Sequence, residues 1–323
     1  MSSEFSLIDK YFTHRTRHTL RGVGDDAALI RPRRGQVLAI SADMLVEGTH
    51  FFKGADPEAL GHKTLAVNLS DMAAMGATPR WATLALALPK VDARWLAAFS
   101  RGFMRLARAH DVDLIGGDTT RGPLNLCVQI MGEVPAQKAL RRDGAKAGDE
   151  VWVSGTLGDA TLAVAARNKK ITLTKSQWLA ASRRLDKPTP RVALGTALRG
   201  IATSAIDVSD GLLADLGHIC ERSRVAAALE LSALPRSRLM RALGAEQAVA
   251  QRALLSGGDD YELCFTAPPA RRAAVLRASA RTRVPVTRIG RIIRAPAGAI
   301  GVAVIDSDGL PLRFAQRGFD HFG

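Results

Sequence analysis

The 323-residue sequence has little of several things, and each scarcity excludes something. Cysteine occurs at Cys127, Cys220 and Cys264 only, an odd number with no CxxC pair, so neither a disulfide frame nor a thiolate metal site is expected. Buried thiols in a reducing compartment, the cytoplasm, are the plain reading. Apolar runs never approach the roughly 20 residues that a membrane-spanning helix needs. The opening MSSEFSLIDKYF has an early acid and an amphipathic pattern, so a cleaved secretory signal is not expected. Aromatic residues make up 5%, with no RNP-type motif, zinc-finger spacing or basic zipper. GxxxxGK[ST] is missing, which excludes a P-loop, and so are the protein-kinase signatures.

Positive charge, by contrast, is plentiful. The formal net charge of +14 is carried mostly by arginine, in groups such as Arg31–Arg34, Arg101–Arg108 and Arg271–Arg283. Several groups fall on predicted helices at spacings that give a solvated face. A field of this sign attracts anionic phosphate ligands. It also leaves open a nucleic-acid or anionic-partner binding protein.

Apolar patterning predicts alternating helices and strands. Ser6–His14 reads as a short amphipathic helix. Gln36–Ser41 reads as a strand ending at an acidic turn, Asp43. Asp56-Pro57-Glu58 opens a helix that Gly76 stops, and Asp92 opens another that runs to His110. Strands are expected at Arg80–Pro89, at Val112–Ile115, where they deliver Gly116-Gly117-Asp118, and at Leu124–Val134. The polar, glycine-bearing stretch Arg141–Asp149 marks a boundary, giving domains at 1–140 and 141–323. Strands at Glu150–Ser154, Ser204–Asp207, Val225–Leu231, Tyr261–Thr266, Pro285–Ile293 and Ala299–Ile305 alternate with helices in the second half. Two such halves indicate an α/β or α+β protein.

The chemistry sits in aspartates at the ends of apolar runs: Asp25 and Asp26, Asp43, Asp71, Asp118, Asp207 and Asp210, Asp259 and Asp260. Any one of them suits a turn or a helix cap. Asp71 resists that reading, because it lies inside a predicted helix, and so does Asp207, which ends an apolar strand. Two carboxylates about 4 Å apart repel by roughly 4 kcal/mol at an effective dielectric near 20, so a cluster of them needs cations. Oxygen donors without Cys or His favour Mg²⁺ or Mn²⁺, and Mg²⁺ takes a few carboxylates plus substrate phosphates. Gly116-Gly117 would let backbone N–H groups approach such phosphates.

The segments EFSLIDKYF, GVGDDAAL, AISADMLVEGTHF, KTLAVNLSDMAAMGATP, LIGGDTTRGP, SAIDVSDGLLADLGHI, SGGDDYELCFT and GFDHF, in this order, resemble the thiamine-monophosphate kinase family of the AIR-synthase (PurM-like) superfamily. That resemblance implies a two-domain PurM-like fold, with an N-terminal mixed-sheet domain that pairs in a homodimer and a C-terminal α/β domain. It implies ATP as co-substrate, thiamine monophosphate as acceptor and several Mg²⁺ ions. It also implies Asp26, Ser41, Ala42, Asp43, Asp71, Asp118, Asp207 and Asp210 as metal ligands. Gly117, Asp118, Arg142 and Ser209 would contact ATP, and His50, Asp259 and Phe319 the thiamine phosphate. Ala42 stands where the family usually has a hydroxyl, so a metal contact there comes from the backbone. Asp259 replaces a frequent Glu, and His110 a family aromatic. Other ATP-dependent members of the superfamily are the nearest alternatives. A selenophosphate synthetase would show an N-terminal Cys, which the first 126 residues lack, and a hydrogenase-maturation member would end in Cys.

Overall fold

The computed structural model describes residues 4–243, 248–295, 299–306, 310–312 and 318. The chain divides into two compact units: residues 1–72 with 77–137, and residues 73–76 with 138–323.

The first unit begins with α1 (Glu4–Phe12) and a hairpin of β1 (Thr19–Arg21) and β2 (Leu29–Ile30). There follow β3 (Gln36–Val46), α2 (Pro57–Ala74, whose last residues belong to the second unit), β4 (Thr78–Leu88), α3 (Ala93–Ala109), β5 (Asp113–Arg121) and β6 (Asn125–Pro135). The helix starts are chemical. Asp56 Oδ1 accepts the Ala59 N–H at 2.8 Å, and Asp92 Oδ1 accepts those of Arg94 and Trp95 at 2.9 and 3.1 Å. α2 stops where Gly76 turns to φ +62°.

The sheet order is β3-β6-β4-β5, antiparallel except for the parallel β4–β5 pair. Period-two alternation gives it a closed and an open face. Ala39 and Leu45 of β3 and Leu126, Val128 and Ile130 of β6 are buried, whereas Ile40, Ala42, Met44 and Gln129 are exposed. α3 buries Leu96, Phe99 and Phe103. Two expectations are corrected here. β3 does not end at Asp43, because β6 pairs with it as far as Val46↔Asn125. Gly116-Gly117-Asp118 is not a loop after a strand: β4 pairs with β5 through to Leu88↔Arg121, past a bulge at Ala82/Thr83.

The second unit holds a seven-stranded mixed sheet. In chain order its elements are β7 (Glu150–Ser154), α4 (Asp159–Arg167), α5 (Lys175–Asp186), α6 (Val192–Ala197), β8 (Ser204–Val208), α7 (Leu212–Ser223), β9 (Ala226–Glu230), α8 (Arg238–Ala242), α9 (Ala248–Ser256), β10 (Glu262–Ala267), α10 (Arg272–Thr282), β11 (Val286–Ile293), β12 (Gly301–Ile305) and β13 (Pro311–Leu312). The spatial order is β13-β12-β9-β11-β7-β10-β8, and among the described residues only β12–β9 is a parallel pair. Every residue of β7, β8 and β10 is buried, as expected of strands covered on both faces.

Candidate functional site

In the first unit the β1–β2 hairpin carries Gly24-Asp25-Asp26 in its loop, and a buried acid fixes the strand that leads there. Asp113, at the start of β5, accepts the N–H groups of Arg17 (2.9 Å) and His18 (2.7 Å) and the Thr19 hydroxyl (2.7 Å). Beside the hairpin lies a cavity of about 810 Å³, lined by Ile8 and Phe12 of α1, by Asp25 and Asp26, and by Gly116 and Asp118 of β5. Asp26 and Asp118, distant in sequence, therefore line one space, together with Asp9 of α1. The two glycines differ in what they do. A Cβ on Gly117 would lie 1.9 Å from the Leu84 carbonyl oxygen, at φ +153°, so its bareness serves the β4–β5 contact. A Cβ on Gly116 would meet nothing within 4 Å, so this glycine keeps the cavity wall open. His110 ends α3 as its C-cap and is not among the cavity-lining residues; burial and the nearby His62 push its pKa down.

Ser41 and Asp43 share the covered face of β3 with Ala39 and Leu45. There the Ser41 hydroxyl donates to Asp71 Oδ2 of α2 at 2.5 Å, and the Asp43 N–H donates to Asn68 Oδ1 at 3.1 Å. Asn68 is itself held by its Nδ2 donating to the Thr64 carbonyl at 3.0 Å. Asp71 thus escapes the cap role because its helix delivers it to a strand. Ala42 points the other way, on the exposed face. Burial, and then the charge of Asp43, pushes the Cys127 thiol up. His50 accepts the Val46 N–H on Nδ1 at 3.0 Å in the turn after β3, which leaves the neutral ring its proton on Nε2.

In the second unit Asp207, the penultimate residue of β8, lies in the interior, and Ser209-Asp210-Gly211 leads into α7. A helix start of this kind ordinarily offers N–H groups to an anion. Here the three N–H groups that precede the helix are taken. Asp215 Oδ2 accepts the N–H groups of Ser209, Asp210 and Gly211 at 3.0, 3.1 and 3.1 Å. With these N–H groups engaged, what the turn has left to offer a ligand is the side-chain oxygens of Ser209 and Asp210. Burial, with the charges of Asp207 and Asp210, pushes the Asp215 carboxyl well above the usual range, against the pull of the N–H donors. Sequence reasoning missed Asp215, which reads as an ordinary first-turn acid; the signal is an acid four residues after a glycine cap that has no side chain to cap with.

The 258–261 loop is laced to this turn. Asp259 N–H donates to the Ser209 carbonyl and Tyr261 N–H to that of Val208, both at 2.8 Å. A Cβ on Gly258 would stand 2.4 Å from the Ser209 oxygen. Asp259, Ser209 and Asp210 are therefore brought together. Arg142 is exposed, its carbonyl accepting the Ser223 hydroxyl at 2.8 Å, while the neighbouring Arg141 carbonyl accepts the Ala205 N–H. Phe319 lies outside the described residues.

Among the described residues no group of three His, Cys, Asp or Glu side chains is gathered to hold a metal by itself. The donors are nonetheless of one chemical kind, carboxylate and hydroxyl oxygen, which suits Mg²⁺. That ion keeps its waters, needs one or two carboxylates from the protein and takes the rest from substrate phosphates. The residues fit an ion that arrives with a nucleotide.

The chain matches the AIR synthase related protein N-terminal domain over residues 24–134 and the C-terminal domain over residues 146–303. It is 47% identical over 326 residues to the thiamine-monophosphate kinase of Salmonella typhimurium, covering 99% of this chain and 98% of that protein. The crystal structure of thiamine-monophosphate kinase from Stenotrophomonas maltophilia K279a is similar at 49% identity, with a TM-score of 0.84 over 91% of this chain and 92% of that one. A structure of AaThiL complexed with AMPPCP and TMP is similar at 30% identity, with a TM-score of 0.78 over 99% and 97% of the two chains.

Proposed function

The chain belongs to the thiamine-monophosphate kinases of the AIR synthase related family, and from that premise we propose that it transfers the γ-phosphoryl group of ATP to thiamine monophosphate with the help of Mg²⁺. What carries the reading is similarity over 99% of the chain to a protein of that name, joined to oxygen-only acids that suit a metal-bound nucleotide.

An oxygen of the acceptor's phosphate attacks the γ-phosphorus in line. The new P–O bond forms as the bond to the β–γ bridging oxygen breaks, and ADP leaves with that electron pair. A phosphate monoester has a second pKa of about 6, so the acceptor is already an oxyanion and no general base is needed. Catalysis reduces to alignment and charge cancellation. Mg²⁺, when bound, supplies the positive charge that lets the two anions approach.

The protein's own part is to hold and orient. Asp26 and Asp118 at the cavity, Ser41 and Asp71 across from one another, Asp43, and the backbone of Ala42 are assigned to the metals. Asp207 and Asp210 are assigned to the same task. Gly117, Ser209 and Arg142 are assigned to ATP, with Arg121, at the exposed end of β5, as a further source of positive charge. His50, Asp259 and Phe319 are assigned to thiamine monophosphate.

We assign the open face of the first sheet to a homodimer. Ile40 and Met44 are 56% and 51% exposed on the edge strand β3, and an apolar edge left in water invites pairing. Ile40→Lys should shift the protein from dimer to monomer in sedimentation, and an unchanged sedimentation coefficient counts against the assignment. The cytoplasm is the proposed location, because the free thiols Cys220 and Cys264 are buried and unpaired by disulfide and the nucleotide is ATP. No helix among the described residues is long and apolar enough to cross a membrane.

Incubation with Mg-ATP and thiamine monophosphate should yield thiamine diphosphate and ADP in equal amounts. Failure with thiamine monophosphate, and turnover of free thiamine or another acceptor instead, would move the chain to a different activity within its superfamily.

A further inference from the structure

Asp259 and Tyr261 flank Asp260 in the loop before β10, and both take left-handed backbone, at φ +66° and +51°. Residues with a Cβ adopt that conformation at a cost, and it persists where the surroundings over-determine it, often at functional sites. The surroundings here do so from several directions. Ser209 and Val208 carbonyls accept the N–H groups of Asp259 and Tyr261. Between them, both oxygens of the buried Asp260 carboxyl group lie 2.9 Å from the Gly158 N–H that donates to them. Glu262, the residue after Tyr261, is fully buried and receives Arg184 Nη2 (2.7 Å), Arg191 Nε (2.6 Å) and the Ser154 hydroxyl (2.6 Å).

On this fixed loop the Tyr261 hydroxyl donates to Asp259 Oδ1 at 3.0 Å. The ring of Tyr261 is buried, so its packing would be satisfied by phenylalanine; the hydroxyl's partner is the carboxylate. An aspartate has only two side-chain torsions, and a donor on one oxygen sets the direction of the carboxylate plane.

We infer that Tyr261 is a positioning residue for substrate recognition: its hydroxyl aims the Asp259 carboxylate at the acceptor. The inference rests on the assignment of Asp259 to thiamine monophosphate. That molecule carries a cationic thiazolium ring and an amino-pyrimidine besides its phosphate, and a carboxylate suits the cation and the amine rather than the phosphate. Tyr261 therefore governs recognition of the thiamine part and is indifferent to ATP.

The test is steady-state kinetics on the full chain, varying thiamine monophosphate and ATP separately, for the unaltered protein, Tyr261→Phe, Asp259→Ala and the double variant, with thermal melts beside them. Loss of a hydrogen bond to a charged group predicts that Tyr261→Phe raises KM for thiamine monophosphate about tenfold. KM for ATP and the melting temperature should not move. With Ala at 259, adding Phe at 261 should do nothing further, since the hydroxyl then has no carboxylate to aim. An unchanged KM for thiamine monophosphate in Tyr261→Phe, while Asp259→Ala raises it, overturns the role of Tyr261 and leaves that of Asp259 standing. Equal rises in both KM values, or effects of the two single changes that multiply, also overturn it. If Asp259→Ala leaves KM for thiamine monophosphate unchanged, the Asp259 assignment fails and the inference fails with it.

Discussion

Ser41 donates its hydroxyl proton to Asp71 Oδ2 at 2.5 Å, across the step from β3 to α2. The distance is that of a hydroxyl bonded to a carboxylate. With its proton committed there, the Ser41 oxygen presents lone pairs, and the pair forms a ready-made set of hard donors. Asp43→Asn and Asp118→Asn should each cut kcat/KM by about 100-fold or more, the scale of removing one preorganised electrostatic contact. Ser41→Ala should cost about tenfold, recovered in part by raising Mg²⁺. Melting temperatures should stay near that of the unaltered protein. Near-normal turnover in both asparagine variants would end the metal assignment.

The adjacent glycines of β5 make a sharper pair. Gly117→Ala forces a side chain against the Leu84 carbonyl at a backbone angle that suits glycine. A loss of about 2 kcal/mol or more in urea melts is expected. Gly116→Ala puts a methyl group into open cavity space, so stability should hold while KM for ATP rises. If Gly116→Ala is the destabilised variant and Gly117→Ala is stable, the division of labour drawn from the geometry is wrong.

Local chemistry in the sequence reaches as far as local chemistry decides. The caps at Asp56 and Asp92 and the stop at Gly76 are readable because the deciding bonds lie within three residues of each. Asp43 reads as a turn, yet sits in mid-strand, because its conformation is set by β6, more than 80 residues on. Gly116 to Asp118 read as a loop for the same reason, the deciding partner being β4. The aspartates themselves are legible as residue types in a specific order. Their supporting cast is not: the Asp215 bonds and the Glu262 pairing with Arg184 and Arg191 depend on the folded turn and on helices far away in the chain.

Asp215 is a test of that supporting cast. Asp215→Ala leaves the N–H groups of Ser209, Asp210 and Gly211 without their acceptor, with Gly211 buried. Each orphaned donor costs about 1–3 kcal/mol when water cannot reach it, so a drop of about 3 kcal/mol in chemical denaturation is expected, with turnover falling alongside. Asp215→Asn keeps a carbonyl oxygen in place and should retain most of the stability. Equal stability of the alanine variant and the unaltered protein would mean that the turn holds its shape unaided.

Asp260 gives the pH dependence. Burial is the first cause that raises its carboxyl well above the usual range; the neighbouring Glu262 and Asp159 push the same way, and the Gly158 N–H and Arg184 oppose them. A carboxyl raised on folding holds its proton more tightly in the native state than in the unfolded chain, where the pKa is about 3.9. Its stabilising contribution is then complete below that value and is lost as pH rises toward the native pKa. Asp260→Asn removes the titration and keeps an oxygen for the Gly158 N–H. The melting temperature of the unaltered protein, measured against Asp260→Asn, should therefore fall as pH is raised from about 4 and level off once the raised native pKa is passed. A difference that grows in favour of the aspartate over that range would mean that Arg184 outweighs burial, and that the loop beneath Asp259 is held by an ion pair rather than by a protonated acid.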